Sequence, residues 1–467
     1  MFYPESIAIV GASRDVRKTG YGWTKGLIDV GFNGSIYPVN PNGGELLGLK
    51  IYSNLKEIPG TIDYVIVTIP REAIPNLLDD CAAKKAKVIH FFTAGFNEIG
   101  DTASHKLEDE LRKKVYQNAF QIIGPNCIGA YCPEHKLPYG PGGMIGKNGE
   151  VGFIAQSGGV GAKLVELGMA QGIKYSKGIS FGNGIILDST DFLKYMAADP
   201  KTSTIGAYLE GSRDSRRLFN TIKESTKTKP VIIWKGGRTD VGATAARSHT
   251  GALASPAAIW SAALKQANAI EVSSLEELAD TLLIFQQLHQ WQGKGVAVVG
   301  GLADGGGGIS VAAGDACSEL GLNIPPLSIQ TIQKLANLLG QIGSILGNPV
   351  DISQGGSKPH IIREAMKLVL ADPSIDLVII QEDVGILLSI LPKEQVEEIN
   401  NIFLDLITEQ SKPLVLVLPS GVSEPERLQI ESKFCQASIP VFTNMERATK
   451  AIMNLSQYSL YKTTKEG

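Results

Sequence analysis

The stretch SIAIVGASRDVRKTG, residues 6–20, decides the fold. A short run of Ile, Ala and Val leads into a glycine-bearing loop and then into a helix-like segment. A strand that is apolar at successive positions, without alternation, is one buried on both faces, which is the signature of a parallel sheet. The glycine lets the backbone swing from the strand into the helix. The same pattern recurs in VGFIAQSGGVGAKLVELG, residues 151–168, and in GVAVVGGLADGGGGISVAAGDACSELG, residues 295–321. Each occurrence opens an α/β domain, so three are expected, over residues 1–132, 145–288 and 295–460.

Further strand-like runs fill these domains. GSIYPVNP, DYVIVTIP, KVIHFFTAG and FQIIGPNC follow the first opening, and LVIIQEDV, PLVLVLPSG and IPVFTN follow the third. The first boundary is placed in PEHKLPYGPGGMIGKNGE, residues 133–150, where Pro and Gly cluster. The second lies near residues 288–294, where a helical pattern gives way to a polar linker.

A chain of 467 residues exceeds what one hydrophobic core covers. With 43% hydrophobic and 19% charged residues and a net charge of −3, it carries no polyanion-binding signature, so no nucleic-acid partner is expected. Its five cysteines are scattered and form no CxxC pair, which fits reduced thiols in a cytoplasmic protein. No apolar run reaches the ~20 residues of a membrane span, so no membrane association is expected.

Three segments carry candidate chemistry. In GASRDVRKTG the amides after the turn suit a pyrophosphate, and Ser13, Arg14 and Lys18 add donors and charge. The acidic ribose-binding residue of a nicotinamide site is missing, since the second strand ends in YPVNPNGG. In AQSGGVGAKL, Ser157, Gly158 and Gly159 suit a phosphate cradle of backbone N–H groups at a helix N-terminus. The same residues approximate a nucleophile elbow, and with Glu210 and His249 they follow the Ser, acid, His order of an α/β-hydrolase. In YLEG, Glu210 ends an apolar strand, where a carboxylate can orient an imidazole. His249 lies in AARSHTGALAS, residues 245–255, among small residues that suggest a mobile loop. No metal ligands lie at suitable spacing around it.

Taken together, SIAIVGASRDVRKTGYG, IYPVNP, FTAGF and GPNCIG, then FIAQSGGVG, SFGN, YLEG and SHTGALA, then GGGGISVAAGDACSELGL and NPVDIS, resemble the NDP-forming acyl-CoA synthetases. This superfamily includes succinyl-CoA synthetase, and the resemblance is closest to the α subunits of its ADP-forming acetyl-CoA synthetases. It implies a Rossmann-like CoA-binding domain followed by two flavodoxin-like ligase domains. It makes His249 a phosphohistidine on a swinging loop, Glu210 its stabilising partner, and Ser157 to Gly159 the phosphate site. It places CoA over Gly11, Ser13, Arg14 and Lys18, near Pro41 and Pro70, with Asn126 and Cys127 at the thiol end. ATP or ADP and Mg²⁺ are then handled mainly by a β subunit with an ATP-grasp domain, in an α₂β₂ assembly, acting on a small carboxylic acid or its acyl-CoA. Ile186, in GIILD, stands where the resemblance leads one to expect an acidic residue. A CoA-binding sensor without turnover is the alternative from another class.

Overall fold

The computed structural model describes all residues except 119, 251–255, 290, 294, 302–306, 341–344, 354–357, 410–411 and 467, and except the side chains of 97, 103, 246–250 and 463–466. The chain divides into two compact units, Met1–Leu282 and Leu283–Gly467.

The first unit holds two main sheets. Strands β1 (Ser6–Val10) and β2 (Ser35–Val39) precede a small antiparallel hairpin of β3 (Gly44–Leu46) and β4 (Leu49–Ile51), and then β5 (Tyr64–Val67), β6 (Val88–Phe91) and β7 (Gln121–Ile123) follow. The sheet order is β2-β1-β5-β6-β7, with every pair parallel. All five residues of β1 are buried, as an unalternated apolar run requires. Ile7 and Ile9 are fully buried, and each such side chain contributes about 1.5–3 kcal/mol.

The second sheet comprises β8 (Gly129–Tyr131), β9 (Asn148–Ala155), β10 (Tyr175–Ser180), β11 (Thr204–Leu209), β12 (Val231–Lys235) and β13 (Ile270–Val272) in the order β13-β12-β11-β9-β10-β8. It is parallel except for β8, which pairs antiparallel with β10 through Gly178 and Tyr131. Residues 129–131, which the sequence assigns to the first domain, therefore complete the second sheet. One apolar cluster runs through both sheets, from Trp23 and Ile66 to Ile154, Ile179 and Phe181, which explains why they form one unit.

The second unit carries a parallel sheet of β14 (Val296–Gly300), β15 (Val350–Asp351), β16 (Leu377–Gln381), β17 (Leu414–Val417) and β18 (Val441–Phe442), in the order β15-β14-β16-β17-β18. Its own core includes Val299, Phe403, Leu416 and Phe434. In each main sheet the first long parallel strand sits where the order reverses: β1 between β2 and β5, β9 between β10 and β11, and β14 between β15 and β16. Ligands of open α/β sheets bind outside the carboxyl ends at such points.

Candidate functional site

The turn after β1 is built by two glycines. Gly11 has φ +97°, and a Cβ there would lie 2.5 Å from Thr68 Oγ1. Gly20 opens the following helix, Thr19–Asp29, with its backbone so close that a Cβ would stand 2.1 Å from the Gly11 carbonyl oxygen. The N–H groups of Gly11 and Ala12 both donate to the Val39 carbonyl, which draws the ends of β1 and β2 together. Gly11 thus serves the turn and the close packing behind it.

A cleft of about 630 Å³ opens at the carboxyl ends of these strands. It is lined from one side by Lys18, Thr19, Thr68, Ile69, Pro70, Phe92, Thr93, Ala94, Asn126, Cys127 and Ile128, and from the second sheet by Gln156, Ser157, Gly158 and Gly159. The structure therefore brings together Lys18, Pro70, Asn126 and Cys127, read as CoA contacts, with the three residues read as the phosphate cradle. Gly11, Ser13, Arg14 and Pro41 are not among the residues lining it. Arg14 is committed to the hairpin, donating from Nε to the Glu45 carbonyl at 3.0 Å and from Nη2 to that of Gly43 at 3.2 Å. Ser13 Oγ accepts the Asp15 N–H at 3.1 Å.

Cys127 is buried and its Sγ faces the Phe91 carbonyl at 3.7 Å. Burial pushes its thiol well above the ordinary range, so the sulfur is kept protonated rather than nucleophilic. Behind it, fully buried His90 meets the Cys127 carbonyl through Nε2 at 3.1 Å. Burial lowers His90 to about 4, the hydrogen bond opposing this, so the ring is neutral.

The cradle is the N-terminus of the helix Gly158–Gln171, which Ser157 caps by accepting the Val160 N–H at 3.5 Å. Ser157 has ordinary extended geometry, φ −97° and ψ 128°, and not the strained turn of a nucleophile elbow. This removes the geometric basis of the hydrolase reading. Tyr139 donates to the Gly158 carbonyl at 3.1 Å, and a Cβ on Gly161 would stand 2.0 Å from that phenolic oxygen, so the helix start is seated against Tyr139. A Cβ on Gly159 would meet only Ser157 Oγ, at 3.9 Å, and Gly159 lines the cleft. Amides at the positive end of a 14-residue helix suit a phosphoryl group.

Glu210 directly follows β11, is 4% exposed, and sits beside the cradle through Gln156. Gln156 Oε1 accepts the N–H groups of Glu210 at 2.8 Å and Gly211 at 3.2 Å. Tyr208 donates to Glu210 Oε1 at 3.1 Å. The buried Lys235 ends β12 and donates from Nζ to the Glu210 carbonyl at 2.8 Å and also to the Gly236 carbonyl, with Trp260 beneath it at 5.4 Å. Burial pushes the Lys235 ammonium down, and the nearby Glu210 carboxylate partly offsets this. The tips of β9, β11 and β12 are thereby stitched into one rigid edge. Gln156, Tyr208 and Lys235 escape a reading of the sequence; their signal was a polar-tipped or charged residue at or next to the end of a largely apolar strand.

His249 falls in the helix Asp240–Thr250, so its backbone is helical where a loop was expected. Alanine is the strongest helix former, and Ala243, Ala245 and Ala246 outweigh the flexibility suggested by the small residues. Thr239 Oγ1 accepts the Gly242 N–H at 3.1 Å near the start of this helix, which packs against the turn Asn97–Ile99 beyond β6. The His249 side chain and residues 251–255 lie outside the described residues. Ile186 is partly buried against the apolar cluster of the first sheet and is not among the residues lining the cleft. Among the described residues, no group of three or more His, Cys, Asp and Glu side chains could hold a metal, and no helix is long and apolar enough to cross a membrane.

Comparison with known proteins matches two domains within the first unit. Residues 5–133 match a CoA binding domain, and residues 148–285 match a succinyl-CoA ligase like flavodoxin domain. The chain is 32% identical to the α subunit of acetate–CoA ligase (ADP-forming) I of Pyrococcus furiosus, over 99% of this chain and 98% of the relative. It is 32% identical to the 4-hydroxybutyrate–CoA ligase (ADP-forming) of Nitrosopumilus maritimus, over 80% of this chain and 53% of that longer protein. A solved structure from Candidatus Korarchaeum cryptofilum, titled as a dinucleotide forming acetyl-coenzyme A synthetase 1 in complex with phosphate and ADP, superimposes with a TM-score of 0.87 at 28% identity, over 100% of this chain and 98% of that one. With these relatives and this fold, the chain belongs to the NDP-forming acyl-CoA synthetases, as an α subunit of the ADP-forming acid–CoA ligases.

Proposed function

We propose that this α subunit converts an acyl-CoA and phosphate into acyl phosphate and CoA in the 630 Å³ cleft, and that His249 then carries the phosphoryl group to a partner subunit. The observation that carries the reading is the meeting, in one cleft, of Lys18, Asn126 and Cys127 with the N-terminus at Ser157 to Gly159. CoA lies along the first wall with its pyrophosphate toward Lys18 and its pantetheine past Pro70. Its thiol end reaches Asn126 and Cys127. Cys127 contributes shape and not attack, since its thiol is held protonated.

A phosphate oxygen attacks the thioester carbonyl, and the thiolate of CoA leaves. The amides of Gly158 and Gly159 and the helix dipole neutralise the phosphoryl oxygens. Unprotonated imidazole is available near neutral pH, so His249 attacks phosphorus and the carboxylate departs with the electron pair of the broken P–O bond. Glu210 offsets the positive charge on the phosphorylated ring. A β subunit with an ATP-grasp domain, in an α₂β₂ assembly, then supplies ADP and the Mg²⁺ that neutralises charge between phosphates, and ATP is formed. Each step is reversible.

Acetate is the first candidate acid, because the P. furiosus relative is named for it. The N. maritimus relative widens the class to other short acids. All five cysteines are free thiols, which supports a cytoplasmic setting. The test is ATP formation from acetyl-CoA, phosphate and ADP. The chain reconstituted with its partner should form ATP, while the chain alone and the complex with His249→Ala should not. ATP formation by the chain alone would overturn the two-subunit reading.

A further inference from the structure

Gln156 lies between the two halves of the site. Its backbone N–H donates to the Tyr208 carbonyl at 2.9 Å, so it extends the pairing of β9 with β11 and is held rigidly. The residue is 6% exposed and is among those lining the cleft, immediately before Ser157. Two backbone N–H groups, those of Glu210 and Gly211, converge on one atom of its amide, at 2.8 and 3.2 Å. Only an oxygen can accept both, so the amide cannot be flipped. The other end of the amide is then an NH₂ group with two donors. Among the described residues no acceptor is paired with it. It belongs to a side chain facing the space beside the Ser157 cap.

We propose that Gln156 is a direct ligand of the transferred phosphoryl group, donating from Nε2 while its Oε1 holds the Glu210 turn. This rests on the cleft being the phosphoryl site. The role is electrostatic: as the P–O bond to the acyl oxygen breaks and the N–P bond to His249 forms, Gln156 neither gains nor loses a proton. It stabilises an equatorial oxygen throughout, beside the amides of Gly158 and Gly159. Because one amide touches both the phosphoryl group and the backbone of Glu210, it sets their separation.

The isosteric variant Gln156→Glu separates the two roles. A carboxylate still accepts from Glu210 and Gly211, so the turn is kept. The donor is replaced by a negative charge facing phosphate. Equilibrium dialysis with labelled inorganic phosphate, on the full chain saturated with CoA, should show phosphate affinity weakened by about 10- to 100-fold, the range of a hydrogen bond to a charged group. CoA affinity should be unchanged. Gln156→Met removes both roles and should lose phosphate affinity together with thermal stability. Wild-type phosphate affinity in Gln156→Glu overturns the proposal alone. A lack of phosphate binding by the wild-type chain overturns the function proposed for the cleft as well. A larger fall in melting temperature for Gln156→Glu than for Gln156→Met overturns the anchoring assigned to Oε1.

Discussion

Replacing Gly161 by Ala tests whether Tyr139 seats the helix that begins at Gly158. The added Cβ would lie 2.0 Å from Tyr139 Oη and 2.8 Å from its Cζ. An ordinary carbon–oxygen contact exceeds 3 Å, so the phenol must retreat by roughly 1 Å in a close-packed interior. Tyr139 is 3% exposed and bonded to the Gly158 carbonyl, so the retreat costs that hydrogen bond, about 1 kcal/mol, together with overpacking strain of about 1–3 kcal/mol. Against this, Ala gains about 1 kcal/mol over Gly inside a helix. The net expectation is a destabilisation of about 1–3 kcal/mol. In a Tyr139→Phe background the hydroxyl is gone and only the ring contact remains, so the same substitution should cost about 1 kcal/mol less. Denaturant unfolding of the four proteins, followed by a probe in the first unit, measures the difference. Equal costs in both backgrounds would refute the packing argument. The wild-type background should also lose affinity for phosphate, because the displaced phenol no longer holds Gly158.

Two further outcomes follow from buried ionisable groups. His90 has an unfolded value of about 6.5 and a folded one of about 4, so the unfolded chain binds the extra proton first. Its contribution is fully present above pH 6.5 and is lost as pH falls toward 4, by about 3 kcal/mol in all; the difference in stability between wild type and His90→Gln, followed over that window, should show this slope and be flat above it. A difference that grows above pH 7 would contradict it. Lys235→Met removes an ammonium that donates to the carbonyls of Glu210 and Gly236 and should destabilise the first unit by about 2 kcal/mol. It should also slow phosphorylation of His249 more than it alters CoA binding, and an unchanged phosphorylation rate would show that the edge holding Glu210 is stitched without it.

The parallel sheets were legible because β1, β9 and β14 are unalternated apolar runs ending at glycine turns, and those turns mark the strands where the sheet order reverses. Strand β8 was not, because three residues pairing antiparallel with β10 leave no local pattern and depend on a partner some 50 positions away. The capped helix start at Ser157 to Gly159 was readable, since capping and helix polarity are local. Arg14 was read as a phosphate contact, whereas its guanidinium is held by two hairpin carbonyls that only the folded chain brings near. The small residues before Thr250 suggest flexibility, whereas the alanines among them favour the helix that forms. Gln156 and Lys235 act through backbone groups of neighbouring strands, and no spacing in the sequence announces that.

The central claim is that phosphate entering this cleft ends on His249. The direct measurement is to incubate the full chain with acetyl-CoA and labelled inorganic phosphate, with no nucleotide and no partner, and to map the bound label. The account predicts one acid-labile, alkali-stable phosphoryl group on His249, absent from His249→Ala and diminished in Glu210→Gln. Label retained in His249→Ala, or label mapped to Ser157, would contradict it.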